Sequence, residues 1–293
     1  MPSSPTTPAE QTLTFPCDGH TLCGIFHPPS RGEDRARGLL IVVGGPQYRV
    51  GSHRQFVLLA RHLAAQGTPV FRFDYSGMGD SEGHPRDFTE IEADIRAAVD
   101  TFFRVCPDLE EVALWGLCDG ASAASFYGFQ DSRVTGLVLL NPWVHTEAGE
   151  ARAWLKHYYR ARVLDRSFWR KLVTLRWNPL KSLVHLLQVV QEVVNGKRGP
   201  RGAADPDWRR QPLPQRVLYG LQRFGNPVLV VLSGQDLTAR EFEDTVAASK
   251  GWREWMARPE VETWRLPQAD HTFSRRAWRD RVAEATGAWL RSW

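Results

Sequence analysis

The sequence predicts an α/β fold, a doubly wound and mostly parallel β-sheet with helices on both of its faces. Short apolar runs that end at glycine, such as residues 38–43 followed by Gly44-Gly45, are typical of strands buried on both faces. These runs alternate with amphipathic helical segments such as residues 89–105. A repeated β-α-β alternation favours parallel strands joined by helices that pack on the sheet.

The elements follow one another in a regular order. Two short alternating runs near residues 12–15 and 22–27 flank Asp18-Gly19, which predicts a β-hairpin. Further strands are predicted at residues 38–43, 69–75, 111–118, 134–140, 227–232 and 261–266. Helices are predicted at residues 54–66, 89–105, from residue 120 onward and at 274–290.

The alternation stops after the sixth strand. We predict that residues 146–224 form a helical cap, inserted between two core segments at residues 1–145 and 225–293. The predicted cap contains 16 Lys and Arg against 6 Asp and Glu, a net charge of +10, although the whole chain carries only +4. An acidic core of net charge −6 therefore carries a basic insert.

Composition excludes several classes of protein. The 293 residues are 42% hydrophobic, which is ordinary for a globular chain. The longest apolar runs have five residues, whereas a membrane span needs about 20. The first residues resemble no secretion signal, so we expect a cytoplasmic protein. The four cysteines fit neither a disulfide framework nor a zinc site, and no metal or cofactor is predicted.

The strongest motif lies at residues 116–120, Gly-Leu-Cys-Asp-Gly, where a predicted strand turns into a helix of small residues. This is the G-x-S-x-G nucleophile elbow with Cys118 in place of serine. Small residues are needed two positions before and after the nucleophile because the turn is so sharp. The helix N-terminus beside Cys118 favours a thiolate, although a buried structural cysteine is the alternative interpretation.

The order of these elements resembles the α/β-hydrolase superfamily. More closely, three motifs resemble the hydrolases associated with the exosortase A system of exopolysaccharide-producing bacteria. They are residues 44–54 (GGPQYRVGSHR), 73–83 (FDYSGMGDSEG) and 115–120 (WGLCDG). The resemblance extends over nearly the whole chain and is weakest in the predicted cap. It implies an α/β-hydrolase fold and a role near exopolysaccharide or protein-sorting systems, without naming a substrate.

A nucleophile of this kind needs a base and an acid that orients the base. The hydrolase chain order is nucleophile, acid, histidine, which predicts Asp236 after the seventh strand and His271 after the last strand. The alternatives are a helix-capping role for Asp236 and a surface-loop role for His271. Asp270 competes as the acid, but an adjacent residue seldom orients its neighbour's imidazole.

The oxyanion hole needs two backbone N–H donors. One is predicted at Asp119, directly after the nucleophile, and the other in the loop after the third strand. Pro46 has no N–H, so the second donor is predicted at Gln47, together with Gly45 or a nearby side chain such as that of Tyr48 or Arg49. The next side chains, those of Tyr48, Arg49 and His53, are predicted to contact substrate.

The predicted function is a Cys-His-Asp acyl hydrolase that acts on an ester or thioester through an acyl-cysteine intermediate. One alternative is an acyltransferase with an alcohol or amine acceptor, and another is a non-catalytic binding protein with the same fold. The partner is expected to be a small-molecule or carrier-bound acyl group. The basic cap is compatible with an acidic substrate or with peripheral membrane contact, nucleic acid being a weaker alternative, or is simply a solvated Arg-rich surface.

Overall fold

The computed structural model describes residues 9–30, 37–45, 47–145 and 207–293. Eight strands in these ranges form one sheet. They are β1 (Gln11–Cys17), β2 (His20–His27), β3 (Arg37–Val42), β4 (Val70–Phe73), β5 (Glu111–Leu117), β6 (Val134–Leu140), β7 (Val228–Ser233) and β8 (Val261–Leu266). The helices of the same ranges are α1 (Gln55–Ala65), α2 (Glu92–Val105), α3 (Asp119–Gly128), α4 (Leu213–Arg223), α5 (Leu237–Ala248), α6 (Lys250–Met256) and α7 (Arg276–Leu290).

The strand order of the sheet is β1-β2-β4-β3-β5-β6-β7-β8. β1 and β2 pair antiparallel, and so do β2 and β4, whereas the other neighbours pair parallel. The predicted doubly wound, mostly parallel sheet is therefore confirmed. The predicted hairpin is also present, and Asp18 and Gly19 at its turn both have positive φ, 47° and 81°.

Helices cover both faces of the sheet. Alternate residues of a strand point to opposite faces, and Leu39 and Ile41 of β3 lie in a core cluster with residues of α1 and α7. Gly38 points the other way, because a Cβ there would lie 2.6 Å from the ring of Phe102 in α2. The central strands are buried on both sides, which explains their unbroken apolar runs.

The parallel strands deliver their following loops to one edge of the sheet. The loops after β3, β5, β6, β7 and β8 all leave from carboxyl ends, and this edge is where open α/β sheets bind their ligands. Two of these loops begin with a left-handed residue. Cys118 after β5 has φ 61°, and Asn141 after β6 has φ 43°. Such backbone is uncommon in residues other than glycine and is frequent near functional sites.

The chain divides into two compact units. One consists of Met1–Val144 with Arg216–Trp293, and the other of His145–Gln215. Most of the predicted cap, residues 146–206, lies outside the described residues, so its helical structure stays a prediction. Within the described ranges, helices long and apolar enough to cross a membrane are absent. The four cysteines all have free thiols.

Candidate active site

Cys118 occupies a sharp turn between β5 and α3. Its backbone has φ 61° and ψ −124°, and it is the residue directly before the first turn of α3. A Cβ on Gly116 would lie 2.4 Å from the backbone of Gly120, and a Cβ on Gly120 would lie 2.6 Å from the carbonyl oxygen of Val42. The turn therefore tolerates only glycine at both positions, as the motif predicts.

Backbone hydrogen bonds hold this turn against the neighbouring strand. The N–H of Cys118 donates to the carbonyl oxygen of Leu140 at 2.8 Å, and its own carbonyl accepts from the N–H of Trp143 at 3.2 Å. The Cys118 side chain is partly exposed. A partly exposed thiol at a helix N-terminus is accessible to a substrate, unlike Cys17 and Cys106, which are buried.

His271 links the thiol to a carboxylate. Its Nδ1 lies 2.9 Å from Oδ2 of Asp236, and the Cys118 side chain is close enough to the ring to raise the pKa of the imidazole. The structure thus brings together the three side chains that the sequence nominated, from the ends of β5, β7 and β8. The hydrogen bond to Asp236 is the main cause that raises the pKa of His271 from 6.5 to about 10, and the neighbouring Cys118 side chain is the second cause.

The contacts of Asp236 fit both of the roles that the sequence left open. Its carboxylate accepts the backbone N–H groups of Thr238 at 3.2 Å and Ala239 at 3.1 Å, so it caps α5. The same carboxylate orients His271. The capping hydrogen bonds fix the orientation of the carboxylate. Asp236 is only 8% exposed, so few water molecules can compete with His271 for its oxygens.

The neighbouring acid, Asp270, is engaged elsewhere. Its Oδ1 accepts the N–H of Ser274 at 2.9 Å, and its Oδ2 accepts the Ser274 hydroxyl. Although burial opposes the charge, these bonds lower the pKa of Asp270, with a smaller contribution from His53. Asp270 therefore shapes the loop that presents His271, and Asp236 is the carboxylate on the imidazole.

Asn141 is a site residue that the sequence analysis did not propose. It is fully buried, and its Nδ2 donates to the Ser233 hydroxyl at 2.7 Å and to the carbonyl oxygen of His271 at 3.2 Å. Its Oδ1 accepts the N–H of Ser233 at 2.9 Å. An asparagine at a strand end, in a position where it cannot serve as an acid, was the available signal for this supporting role.

The prediction for Gly45 as an oxyanion donor needs correction. The Gly45 N–H donates to Oδ2 of Asp119 at 2.7 Å, and this carboxylate also accepts the N–H of Gly120 at 3.0 Å. Gly45 is therefore satisfied by a side chain and is not a free donor. Gln47, the other candidate, uses its side-chain oxygen to accept the N–H of Ser52 at 3.1 Å, and its backbone N–H stays a prediction.

The prediction that Arg49 contacts substrate is also corrected. Its guanidinium donates to Asp74, which is fully buried, and to Asp80 at 2.5 Å. Its backbone N–H donates to Oδ1 of Asp74 at 2.6 Å. Burial opposes its charge, yet the ion pairs raise the pKa of Arg49 above its ordinary value. Arg49 is thus a structural ion-pair residue that ties two loops together.

The other two predicted contact residues face solvent. Tyr48 is 46% exposed, and His53 is exposed with a left-handed backbone, φ 53°. His53 lies close enough to Asp270 to contribute to lowering the pKa of that carboxyl group, so His53 is near the loop that carries His271. Across the described segments, groups of three or more His, Cys, Asp or Glu arranged for metal binding are absent.

A glycine-flanked elbow at the end of β5, with a histidine and a carboxylate on later loops, defines an α/β hydrolase. A family model described as Hydrolase_4, serine aminopeptidase S33, matches residues 34–243. The chain belongs to this family of α/β hydrolases. The family description names serine, whereas the elbow of this chain carries Cys118.

Two proteins are similar in sequence to part of this chain. The polyketide transferase GrgF of Penicillium is 26% identical over 139 residues, which cover 46% of this chain and 45% of that protein. The uncharacterized protein PA2218 of Pseudomonas aeruginosa is 32% identical over 126 residues, which cover 41% and 33%. The matches span less than half the length of each relative.

Solved structures resemble nearly the whole chain. The esterase Pf2001 of Pyrococcus furiosus superposes with a TM-score of 0.63 and 16% identity, over 97% of this chain and 93% of that one. GrgF of Penicillium gives 0.60 at 18% identity, over 97% and 98%. Est1E of Butyrivibrio proteoclasticus, solved with ferulic acid, gives 0.61 at 18%, over 95% and 97%. At these identities the likeness establishes the shared fold.

Proposed function

We propose that this hydrolase transfers acyl groups through Cys118, with His271 as its general base and acid and Asp236 as the orienting carboxylate. One observation carries the proposal. The His271 imidazole is hydrogen-bonded to Asp236, and the Cys118 side chain lies close enough to the same ring to raise its pKa. A nucleophile in reach of a base, and a base in reach of an orienting acid, is the arrangement that covalent acyl transfer requires.

The first chemical step forms an acyl-cysteine. A proton passes from the Cys118 thiol to His271, whose raised pKa of about 10 favours the imidazolium at neutral pH. The thiolate attacks the acyl carbonyl carbon, and the carbonyl electron pair moves onto oxygen as an oxyanion. When the carbonyl reforms, the bond to the leaving group breaks, and the imidazolium returns its proton to that group.

The second step releases the acyl group. His271 takes a proton from an acceptor, which attacks the thioester carbonyl, and the Cys118 sulfur leaves and is reprotonated by the imidazolium. Water as acceptor makes the enzyme an esterase or thioesterase. In the tetrahedral intermediate the Cys118 thiolate is itself a good leaving group and departs in preference to a poor one such as an amine. We therefore favour thioesters and activated esters over amides as donors.

Transfer to an alcohol or amine is the second candidate function. The partial match to GrgF, a polyketide transferase, supports this candidate. A carrier-bound acyl chain is a fitting donor because the segment at 146–224 has a net charge of +10 and would attract an acidic carrier or substrate. The resemblance to exosortase-associated hydrolases suggests a role near exopolysaccharide systems.

The test is intact-mass detection of an acyl adduct. Wild-type protein and the variants Cys118→Ala and Cys23→Ala are incubated with a panel of acyl-coenzyme A thioesters and activated esters. Cys23 is the matched control because it is a partly exposed thiol that hydrogen-bonds the carbonyl oxygen of Asp80 at 3.2 Å, away from His271. We expect one acyl mass on wild type and on Cys23→Ala, and none on Cys118→Ala.

Adding alcohols and amines to the trapped adduct separates the two functions. Faster loss of the adduct with an acylated acceptor as product supports transfer, and loss to free acid alone supports hydrolysis. Absence of an adduct from every donor, with the Cys118 thiol still open to alkylation, would contradict both functions and favour a non-catalytic protein.

A further inference from the structure

The carboxylate of Asp119 joins the nucleophile helix to the loop after β3. Asp119 follows Cys118 and is the first residue of α3. Its Oδ2 accepts the N–H of Gly45 at 2.7 Å, and its Oδ1 accepts the N–H of Gly120 at 3.0 Å. One side chain therefore bridges the two segments from which the superfamily draws its oxyanion donors.

The two segments meet at atomic contact. A Cβ on Gly44 would lie 2.1 Å from Oδ1 of Asp119 and 2.4 Å from the N of Gly120. Gly45 has φ 61°, a left-handed conformation that glycine adopts at little cost. The turn at Gly44-Gly45 is thus shaped to receive this carboxylate, and its position depends on the Asp119 side chain.

This contact decides which backbone groups are left for an oxyanion. The Gly45 N–H is committed to Asp119, and Pro46 has none. The next residue along the loop is Gln47, whose side chain is tied to the Ser52 N–H. We propose that Asp119 is a positioning residue, whose carboxylate holds the Gly44-Gly45 turn so that the N–H of Gln47 joins that of Asp119 in receiving the oxyanion. This inference rests on the proposed acyl-transfer function.

Burying the charged carboxylate of Asp119 costs free energy. Burial raises the pKa of Asp119, against the backbone N–H bonds that favour its ionised form. Burial and then the Asp119 charge raise the pKa of nearby Tyr75 to about 12. The N–H of Asp119 also contacts its own carboxylate, so an oxyanion would share that donor. The competing role for Asp119 is therefore to block the oxyanion hole.

Two reactions at Cys118 separate these roles. Alkylation by iodoacetamide needs the thiolate and no oxyanion hole, whereas acylation by an acyl-coenzyme A needs both. The proteins compared are wild type, Asp119→Ala, Asp119→Asn and the control Asp87→Asn. Asp87 is a neighbouring charge whose Oδ1 accepts the backbone N–H of Thr89 at 2.9 Å. No bond from Asp87 to the Gly44-Gly45 loop is seen among the described residues, so Asp87→Asn tests the loss of a charge by itself.

We expect Asp119→Ala to alkylate at least as fast as wild type, because a negative charge beside the thiol is gone. Its acylation should fall about 10- to 100-fold, in kcat rather than KM, because a misplaced donor is costly. Asp119→Asn should recover to within about fivefold, since its amide oxygen can still accept the Gly45 N–H, although its NH2 group cannot accept the Gly120 N–H. Asp87→Asn should acylate within about twofold of wild type.

Four results would overturn the inference. Faster acylation of Asp119→Ala would show that the carboxylate blocks the hole, and equal slowing of both reactions would show a general disturbance of the helix. If Asp119→Ala does not fold, a fall of more than about tenfold in the acylation rate of folded Asp119→Asn would also contradict the inference. Wild type that alkylates but is never acylated removes the proposed function itself, and this inference with it.

Discussion

The side-chain amide of Asn141 donates a hydrogen bond to the backbone carbonyl oxygen of His271, with an N···O distance of 3.2 Å. Asn141 directly follows β6, and its amide also bridges to Ser233 at the end of β7. The loop that carries His271 is thereby attached to two strand ends of the sheet. The imidazole reaches Cys118 and Asp236 from a main chain that is itself held in place.

Asn141→Gly tests this attachment. Glycine keeps the left-handed backbone, φ 43°, but removes the amide, so lost hydrogen bonds should lower stability by about 1–3 kcal/mol. We expect kcat for acyl transfer to fall about tenfold with little change in KM. Asn226→Gly is the control, because its amide lies 3.5 Å from the Val134 carbonyl at the other end of β6. Equal effects of both variants on kcat would refute the positioning role.

Asp236 should show separable losses of activity and stability. Asp236→Asn keeps a good helix cap but removes the negative charge beside His271. Asp236→Ala removes both the cap and the charge. We expect both variants to lose about 10²- to 10⁴-fold in acylation rate, and the Ala variant to be about 1 kcal/mol less stable than the Asn variant. Rates and urea unfolding measure the two quantities.

Asp270→Asn is the matched control for that comparison, because Asp270 bonds Ser274 and not the imidazole. Its acylation rate should stay within about tenfold of wild type. A loss as large as that of Asp236→Asn would mean that the wrong carboxylate has been assigned as the orienting acid.

The raised pKa of His271 predicts how stability depends on pH. The folded-state pKa is about 10 and the ordinary value 6.5, so protonation favours the folded protein. The stabilisation is complete below about pH 6.5 and is lost as pH rises through about 10. Thermal midpoints of wild type and His271→Gln, measured between pH 6 and 10.5 (roughly this window), should converge toward high pH. A constant difference across that range would contradict the assignment.

The elbow glycines predict an asymmetric response to alanine. Gly116→Ala places a Cβ 2.4 Å from the backbone of Gly120 and should cost at least about 2 kcal/mol. At Gly225 a Cβ meets nothing within 4 Å, so Gly225→Ala should be neutral or stabilise by up to about 1 kcal/mol. Urea unfolding of both variants gives the comparison, and a tolerated Gly116→Ala would show that the turn is less strained than its geometry implies.

Arg49 should matter for stability and not for substrate affinity. Arg49→Ala leaves the fully buried Asp74 without its guanidinium, at a cost of about 3 kcal/mol or more. Arg276→Ala breaks an exposed ion pair with Asp280 and should cost less than about 1 kcal/mol. A stable Arg49→Ala with a raised KM would restore the substrate-binding prediction.

Local patterns predicted most of the elements and the three central side chains. A glycine-flanked turn between a strand and a helix is a local constraint, and it identified Cys118 without any tertiary information. The loops after β7 and β8 were recognisable by position, which singled out Asp236 and His271. The ion pairs of Arg49 were not predicted, because its partners, Asp74 and Asp80, lie 25 and 31 residues away in the chain.

By itself the sequence determined the doubly wound α/β class, the glycine-flanked elbow and the order of Cys118, Asp236 and His271 along the chain. These features depend on spacing along the chain, which apolar periodicity and glycine record directly. Only the tertiary structure decided the strand order, the Asn141 bond to His271 and the capture of the Gly45 N–H by Asp119. Those contacts depend on where parallel strand ends meet, and residues 74 or 130 positions apart leave no local pattern to show that they touch.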